Sequence, residues 1–472
     1  MSKKIIYLLS LLMALSLVFA SCKKNGGLDP NNGGLTPPPD TGQGQDVVGE
    51  DGLFDNYSDI PDGEIANTGV YVTTGGNYYR NPVVVTRPDG KIFVFAEKRW
   101  QSQGAGNDVG IDGINTTDII FKVSTDGGYK FDTQEYTVGT KATGPENSHG
   151  APVVFVNNDK ILIAATAGDG IGRTSKTPKA SKIDYITGTF GGSASTGYIT
   201  WGTWTTIEKV KAKSGSSDTT IKALVEKTPA GGSGSKNFEQ FGTQPARGLV
   251  TTSDIYLPIV IAQQGGTGTD YELMGRITLK STMDGATWTV VEEPVGYTDD
   301  NKLTFGPWKE TKLISGTVEG DLLYLTVPNP WSSANPAKFG VSDPGQPPSS
   351  KGTMPASEGS PGFFTTKQWY GANEYKITSS GIENAGQAPS TMSVLVHVQQ
   401  RASQLYLYLV SDPKELTLQG KGWKLDDVGK SSTVDMMADG TIVVAAEKGG
   451  EDKNYFIRLL RYSQKYLTET TK

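Results

Sequence analysis

One cysteine and two histidines are all that 472 residues hold of the commonest metal-binding and redox side chains. A single thiol excludes a disulfide framework. His149 and His397 lie far apart without cysteine neighbours, which argues against a zinc site. No twelve-residue calcium loop is visible, and Gly104-Ala105-Gly106 is loop composition, so neither a metal nor a cofactor is expected. Positive charge is short as well: 44 Lys and Arg against 50 Asp and Glu leave a net charge of -6, which argues against a general grip on nucleic acid. Apolar stripes of helical period are scarce, and beyond the first twenty residues no apolar run is long enough to span a bilayer.

What is present begins with a targeting pattern. Lys3-Lys4 precede an apolar run from Ile5 to Ala20, and Phe19-Ala20-Ser21-Cys22 follows. This is the layout of a secretory signal over residues 1–21. The lone cysteine, Cys22, sits where a lipoprotein carries its acyl chains; the alternative is an ordinary signal peptide with an incidental cysteine. The expectation is an exported protein anchored through lipid alone, periplasmic or on the cell surface. Residues 22–67, with Thr36-Pro37-Pro38-Pro39, are rich in Gly, Pro, Asn and Asp and read as a flexible tether.

From residue 68 to about 466 one theme repeats: an apolar strand, a polar turn, a second apolar strand. VVVTRPDGKIFVFAE (83–97) and VDMMADGTIVVAAE (434–447) are the clearest pair. VVFVNNDKILIAAT (153–166), GLVTTSDIYLPIV (248–260) and LISGTVEGDLLYLTV (313–327) are weaker copies, and a sixth lies in STMSVLVHVQQRASQLYLYLV (390–410). The expected fold is all-β: a six-bladed β-propeller of four-stranded antiparallel sheets. A pair of β-sandwiches is the competing arrangement, but it does not explain the recurring hairpin. Residues 330–370, rich in Ser, Pro and Gly, read as a long excursion from one blade. Ser124–Phe131 and Ser281–Trp288 are polar Gly turns closed by an aromatic, and read as fold markers.

In a propeller, residues before each first strand and after each second strand share one rim. Counting back about nine residues from the turns reaches Arg80, His149, Arg247, Glu310 and Lys430-Ser431; after the second strands come Glu97, Arg99, Asp108, Asp112 and Glu447. Such a rim suits an anionic ligand, with arginines as forked partners for a carboxylate and acids left for proton transfer.

These residues resemble those of the sialidases, exo-glycosidases that remove terminal sialic acid. Tyr79-Arg80-Asn81-Pro82 is similar to the family's Phe/Tyr-Arg-Ile-Pro signature, with Asn81 in place of Ile. Phe95–Arg99, the two Gly turns (the family's Asp-boxes) and Met437–Glu447 resemble further family segments, over roughly residues 70–465. The resemblance implies a six-bladed propeller in which three arginines hold a sugar carboxylate. An Asp is the general acid, and a Tyr activated by a Glu attacks the anomeric carbon. Carried onto this chain, it makes Arg80 the first arginine, Glu447 its brace and Arg401 the third arginine. Arg99 contacts the sugar hydroxyls, Asp112 is the acid with Asp108 in reserve, and Glu310 is the partner of the attacking group. Two departures stand out. The second arginine's place holds Val327-Pro328-Asn329, with Arg247 or Arg276 as substitutes. The tyrosine's place, about sixteen residues before Glu447, holds Lys430-Ser431-Ser432. The expected activity is hydrolysis of terminal sialic acid or a related acidic sugar from glycans. The alternatives are a catalytically inactive glycan-binding lipoprotein and a protein-interaction platform.

Overall fold

The computed structural model describes residues 28–29, 34–35, 65–72, 77–100, 116–168, 181–213, 217–227, 240–250, 254–264, 271–296, 308–316, 322–328, 338–342, 349–353, 361–370, 375–378, 381–384, 393–401, 404–410, 418–426, 431–437, 441–449 and 455–462. Cys22, Asp108, Asp112 and Lys430 lie outside the described residues. What is described is nearly all β, with one short α-helix, Ile221–Lys227.

Six sheets have four or more strands among the described residues. The first runs Asn77–Thr86, Ile92–Trp100, Thr117–Ser124, Tyr136–Thr137. The second is led by His149–Asn157, followed by Lys160–Gly168 and Ser181–Phe190, with short outer strands. In the third, Gln240–Gly242 and Leu249–Val250 both pair with Ile255–Gln264, and Tyr271–Ser281 and Thr289–Gly296 lie beyond. The fourth runs Trp308–Gly316, Leu322–Pro328, Lys338–Ser342, Ser349–Thr353, and the fifth Pro361–Tyr370, Ser393–Arg401, Gln404–Val410, Leu418–Asp426. The sixth joins Ser432–Met436, Ile442–Gly449 and Tyr455–Tyr462 to Ile65–Val72, so one sheet unites the two ends of the repeating region. The leading strand of each sheet packs beside that of the next, and the sixth packs against the first. This is a propeller-like arrangement of antiparallel sheets.

Two expectations are corrected here. Residues 330–370 are not a single excursion, because three strands lie there: two complete the fourth sheet and Pro361–Tyr370 leads the fifth. It follows that 390–410 supplies the second and third strands of its sheet rather than a leading hairpin. Alternation shows that a segment is a strand but carries no information about its distance from the ring's centre.

The apolar core fills the seams between sheets. Val83, Val85, Phe93, Phe95 and Phe121 of the first sheet pack with Val154, Ile161, Ile163 and Ile186 of the second. Val84, Ile92 and Val94 face the opposite way, toward Val443, Ala445, Ile457 and Leu459 of the sixth. Strand alternation thus buries both faces of the sheet. The two Gly turns hold their acids as expected of local caps. Asp126 accepts from the Tyr129 and Lys130 amides at 3.1 and 3.0 Å, and Asp284 from the Ala286 amide at 3.0 Å. Gly128, at φ +94, is required: a Cβ there would stand 2.6 Å from Leu459 Cδ2 of the sixth sheet.

Candidate functional site

Asn77–Thr86 leads the first sheet with no further strand on its inner edge among the described residues, and the chain answers that edge with side chains of the sixth sheet. Along Ser432–Met436 the alternate residues Thr433 and Asp435 face Asn77–Thr86. The Thr433 hydroxyl accepts from the Val84 amide at 2.8 Å and donates to the Pro82 carbonyl at 3.1 Å. Asp435 accepts from the Thr86 amide at 2.9 Å. The sequence signal was Thr433 and Asp435 at alternate places in Ser432–Met436.

A second device recurs at the far end of three second strands, those of the sixth, first and second sheets. Glu447 accepts from the Asn81 amide at 3.1 Å, Glu97 accepts from the Ala151 amide, and the Thr166 hydroxyl accepts from the Thr243 amide at 2.7 Å. Each bond ties one sheet to the start of the next. Asn81 and Ala151, both preceding proline, adopt φ +56 and +48. Strand pairing slips at the same places, between Arg80 and Val83 and between Gly150 and Val153. The bulge turns one backbone N–H out of the ladder and toward the neighbouring carboxylate.

The charged groups at this end follow from that frame. Arg80 sits opposite Glu97 in the hairpin register, and its Nε is ion-paired with Glu447. Glu97 and Arg99, two residues apart, share a face, and the Arg99 Nε and Nη2 both donate to Glu97 Oε2 at 2.7 Å. Asn81 Nδ2 donates to Glu97 Oε1 at 2.9 Å. Glu447 is wholly buried, and Glu97 and Arg80 are 1 % and 8 % exposed. Two guanidinium groups and two carboxylates therefore form a balanced cluster in a low-dielectric seam, where each charge is sustained by its partner. An arginine carries five N–H donors, so a brace on one carboxylate is compatible with a grip on a second.

Burial pushes the Glu97 carboxyl up, but the Arg99 guanidinium, the Asn81 amide and the Ala151 N–H outweigh it and hold the group below the usual glutamate range. A carboxyl lowered on folding contributes stability fully above its unfolded value, and loses it as pH falls through its folded one. Glu97→Gln is therefore expected to lower stability at neutral pH and to flatten the acid limb below about pH 4.3. Denaturant unfolding at a series of pH values checks this; curves running parallel to the unsubstituted chain's would count against it.

Other expected site residues are placed elsewhere or only by backbone. The Ser431 carbonyl accepts the Glu447 amide at 2.8 Å, and both Ser431 and Ser432 are buried. Glu310 lies near the start of Trp308–Gly316, opposite Val327, and Arg401 closes Ser393–Arg401 opposite Pro361. Their strands thus bring both to sheet ends that correspond to the end carrying Arg80. Arg247 does not join Arg80. Residues 243–248 leave the third sheet's leading edge, and Ala246–Arg247 pairs in parallel with Val153 and Val154 of the second. There the Arg247 guanidinium meets Asp435 at 3.4 Å and the Val154 carbonyl at 3.0 Å, toward the opposite end of Asn77–Thr86. Arg276 is fully buried within the third sheet.

A Tyr–Glu pair does stand in the first sheet: the Tyr79 phenol donates to Glu135 at 2.6 Å. Burial first, then Glu135, raises the Tyr79 pKa far above the ordinary phenol value, and its ring stacks on Tyr71 at 5.0 Å. This is a seam residue held neutral, unsuited to nucleophilic attack. His149 occupies the matching seam of the second sheet. Its ring lies 3.9 Å from Trp204 and its Nε2 3.0 Å from Asp184. Burial pushes the Asp184 carboxyl up, yet His149 and Thr206 together bring it below the usual range.

No protein-family model matches the sequence, and no curated protein matches it. Solved structures do resemble the fold. Trypanosoma rangeli sialidase in complex with sialic acid aligns with TM-score 0.55 at 14 % identity, over 87 % of this chain and 60 % of that one. A mutant of the same sialidase displaying trans-sialidase activity gives 0.54 at 14 %, over 84 % and 58 %. A protein of unknown function from Dyadobacter fermentans gives 0.50 at 11 %, over 86 % of this chain and 100 % of that one. The chain thus spans about three fifths of the length of the trypanosomal sialidases it matches. At these identities the likeness establishes a sialidase-like fold.

Proposed function

We propose that this chain is a lipid-anchored, six-bladed propeller of sialidase type, tethered through Cys22, that hydrolyses terminal sialic acid or a related acidic sugar from glycans. One observation carries the reading. Arg80, at the start of the first sheet, is braced by Glu447 from the sheet that closes the ring, with Arg99 beside it on Glu97. A buried guanidinium braced by its own carboxylate is pre-oriented for a second carboxylate, that of an acidic sugar. In this reading Arg80 and Arg401 grip the carboxylate and Arg99 contacts the hydroxyls. Asp112 protonates the leaving oxygen as the glycosidic bond breaks, and water activated by Glu310 adds to the anomeric carbon. Lys430 helps orient the ligand.

A second reading, acidic-glycan binding without hydrolysis, is favoured by a specific feature. Ser431 and Ser432 fill the place of an attacking tyrosine, and both are buried. A fluorogenic sialoside separates the two. Release of the aglycone supports the hydrolase; calorimetric binding without release supports the lectin-like reading; neither binding nor release on several acidic sugars removes both.

A further inference from the structure

Asn81 stands at the junction of the two arginine–glutamate pairs. Its backbone N–H donates to Glu447, which pairs with Arg80; its side-chain amide donates to Glu97, which holds Arg99. The molecule contains its own comparison. Ala151 occupies the matching bulge of the second sheet, also before proline, also at positive φ, and also with its N–H on the preceding sheet's acid. Alanine suffices there, so the backbone conformation and the inter-sheet bond do not require an asparagine side chain. What Asn81 adds is the bond to Glu97, 2.9 Å long and 8 % or less exposed at both residues. Short polar side chains tolerate the left-handed region, and here the amide also completes a link between the two carboxylates.

We propose that Asn81 is a positioning residue that locks Arg80 and Arg99 into one unit, fixing the separation at which the two guanidinium groups meet an acidic sugar. The proposal rests on the reading of this end as the ligand site, so its test has one arm that needs no ligand. Arg80→Met and Arg99→Met, alone and together, are compared by denaturant unfolding in the native chain and in Asn81→Ala, a substitution the Ala151 geometry accommodates. The two arginines couple through Glu447, Asn81 and Glu97 as well as through the shared cluster, so their non-additivity is larger with asparagine present than without it.

The second arm measures affinity for the α-methyl glycoside of sialic acid by calorimetry. Asn81→Ala lowers it about tenfold, the order of one lost charge-assisted bond. Asn81→Asp sets a third carboxyl beside Glu97 and Glu447, with Arg80 and Arg99 the facing cations. Its affinity is depressed at neutral pH and recovers toward acid as the added group takes a proton, a pH profile the native chain lacks. Equal coupling in both backgrounds overturns the proposal. So does an Asn81→Ala protein that binds the sialoside as well as the native one, with a flat profile for Asn81→Asp. If the native chain binds no acidic sugar while the coupling depends on Asn81, the positioning role stands and the ligand assignment falls.

Discussion

Glu447→Ala is expected to destabilise the protein by about 3–5 kcal/mol, the range for removing one partner of a buried ion pair. Glu447 is wholly buried and serves three contacts at once. It pairs with Arg80, accepts the Asn81 amide, and donates its own N–H to the Ser431 carbonyl. Only the last survives truncation. The guanidinium of Arg80 would then lose the carboxylate that offsets its desolvation, in a seam lined by Val443, Ala445 and Tyr79. The loss also falls at the closure between the sixth and first sheets, residues joined across a sequence separation of 366. Glu226→Ala, which removes an exposed helix pair with Lys222, provides the control and should change stability by less than about 0.5 kcal/mol. Urea unfolding of the three proteins measures the difference; a Glu447→Ala midpoint as close to the native one as the control's would mean that Arg80 finds another partner.

How much of this was legible in the sequence follows from the range of the forces involved. The hairpin at 83–97 was readable because turn chemistry and alternation act within a dozen residues, and Val83 does pair with Phe95 across Pro88-Asp89-Gly90. The acid in each Gly turn was readable for the same reason. Closure was not, since nothing local in Ile65–Val72 announces Tyr455–Tyr462 as its neighbour. Lys338–Ser342 and Ser349–Thr353 escaped because Ser, Gly and Lys have weak strand propensity, and their pairing is a tertiary effect. At the site, Arg80 and Glu447 were legible as members of ordered segments. Asn81 was legible only as a departure from a familiar residue, because its positive φ and its two acceptors belong to the assembled ring. Arg247 shows the limit of counting: nine residues from a turn is a rim position only while the strand stays in its sheet, and residues 243–248 do not.

Stability and the proposed carboxylate grip are linked through the same side chains. At two seams the acid that closes the seam also holds an arginine: Glu447 serves Asn81 and Arg80, and Glu97 serves Ala151 and Arg99. A lone buried arginine would be costly. Here its carboxylate is already fixed by a backbone N–H of the next sheet, so the geometry of the guanidinium is set by the packing of sheets rather than by a loop. That is what a preorganised carboxylate grip requires. It also means that simple truncations confound folding with binding.

The double substitution Arg80→Met with Glu447→Gln separates the two. Removing both charges removes the desolvation cost along with the attraction, and uncharged residues of similar volume are often neutral in such seams. The amide oxygen that Glu447→Gln leaves in place can still accept the Asn81 N–H. Stability is therefore expected to return to within about 1 kcal/mol of the native chain, well above Glu447→Ala. Affinity for an α-sialoside is not. On the proposed function, removing the Arg80 guanidinium leaves the sugar carboxylate desolvated without its partner, a loss of about 2–5 kcal/mol, or roughly thirtyfold to several thousandfold. The methyl ester of the same sialoside, which carries no charge, should bind both proteins alike. Calorimetry with the two ligands decides the matter. A folded double variant that keeps native affinity for the acid would reduce Arg80 to a bolt between sheets, and the carboxylate grip would have to be sought at Arg401 or Arg99.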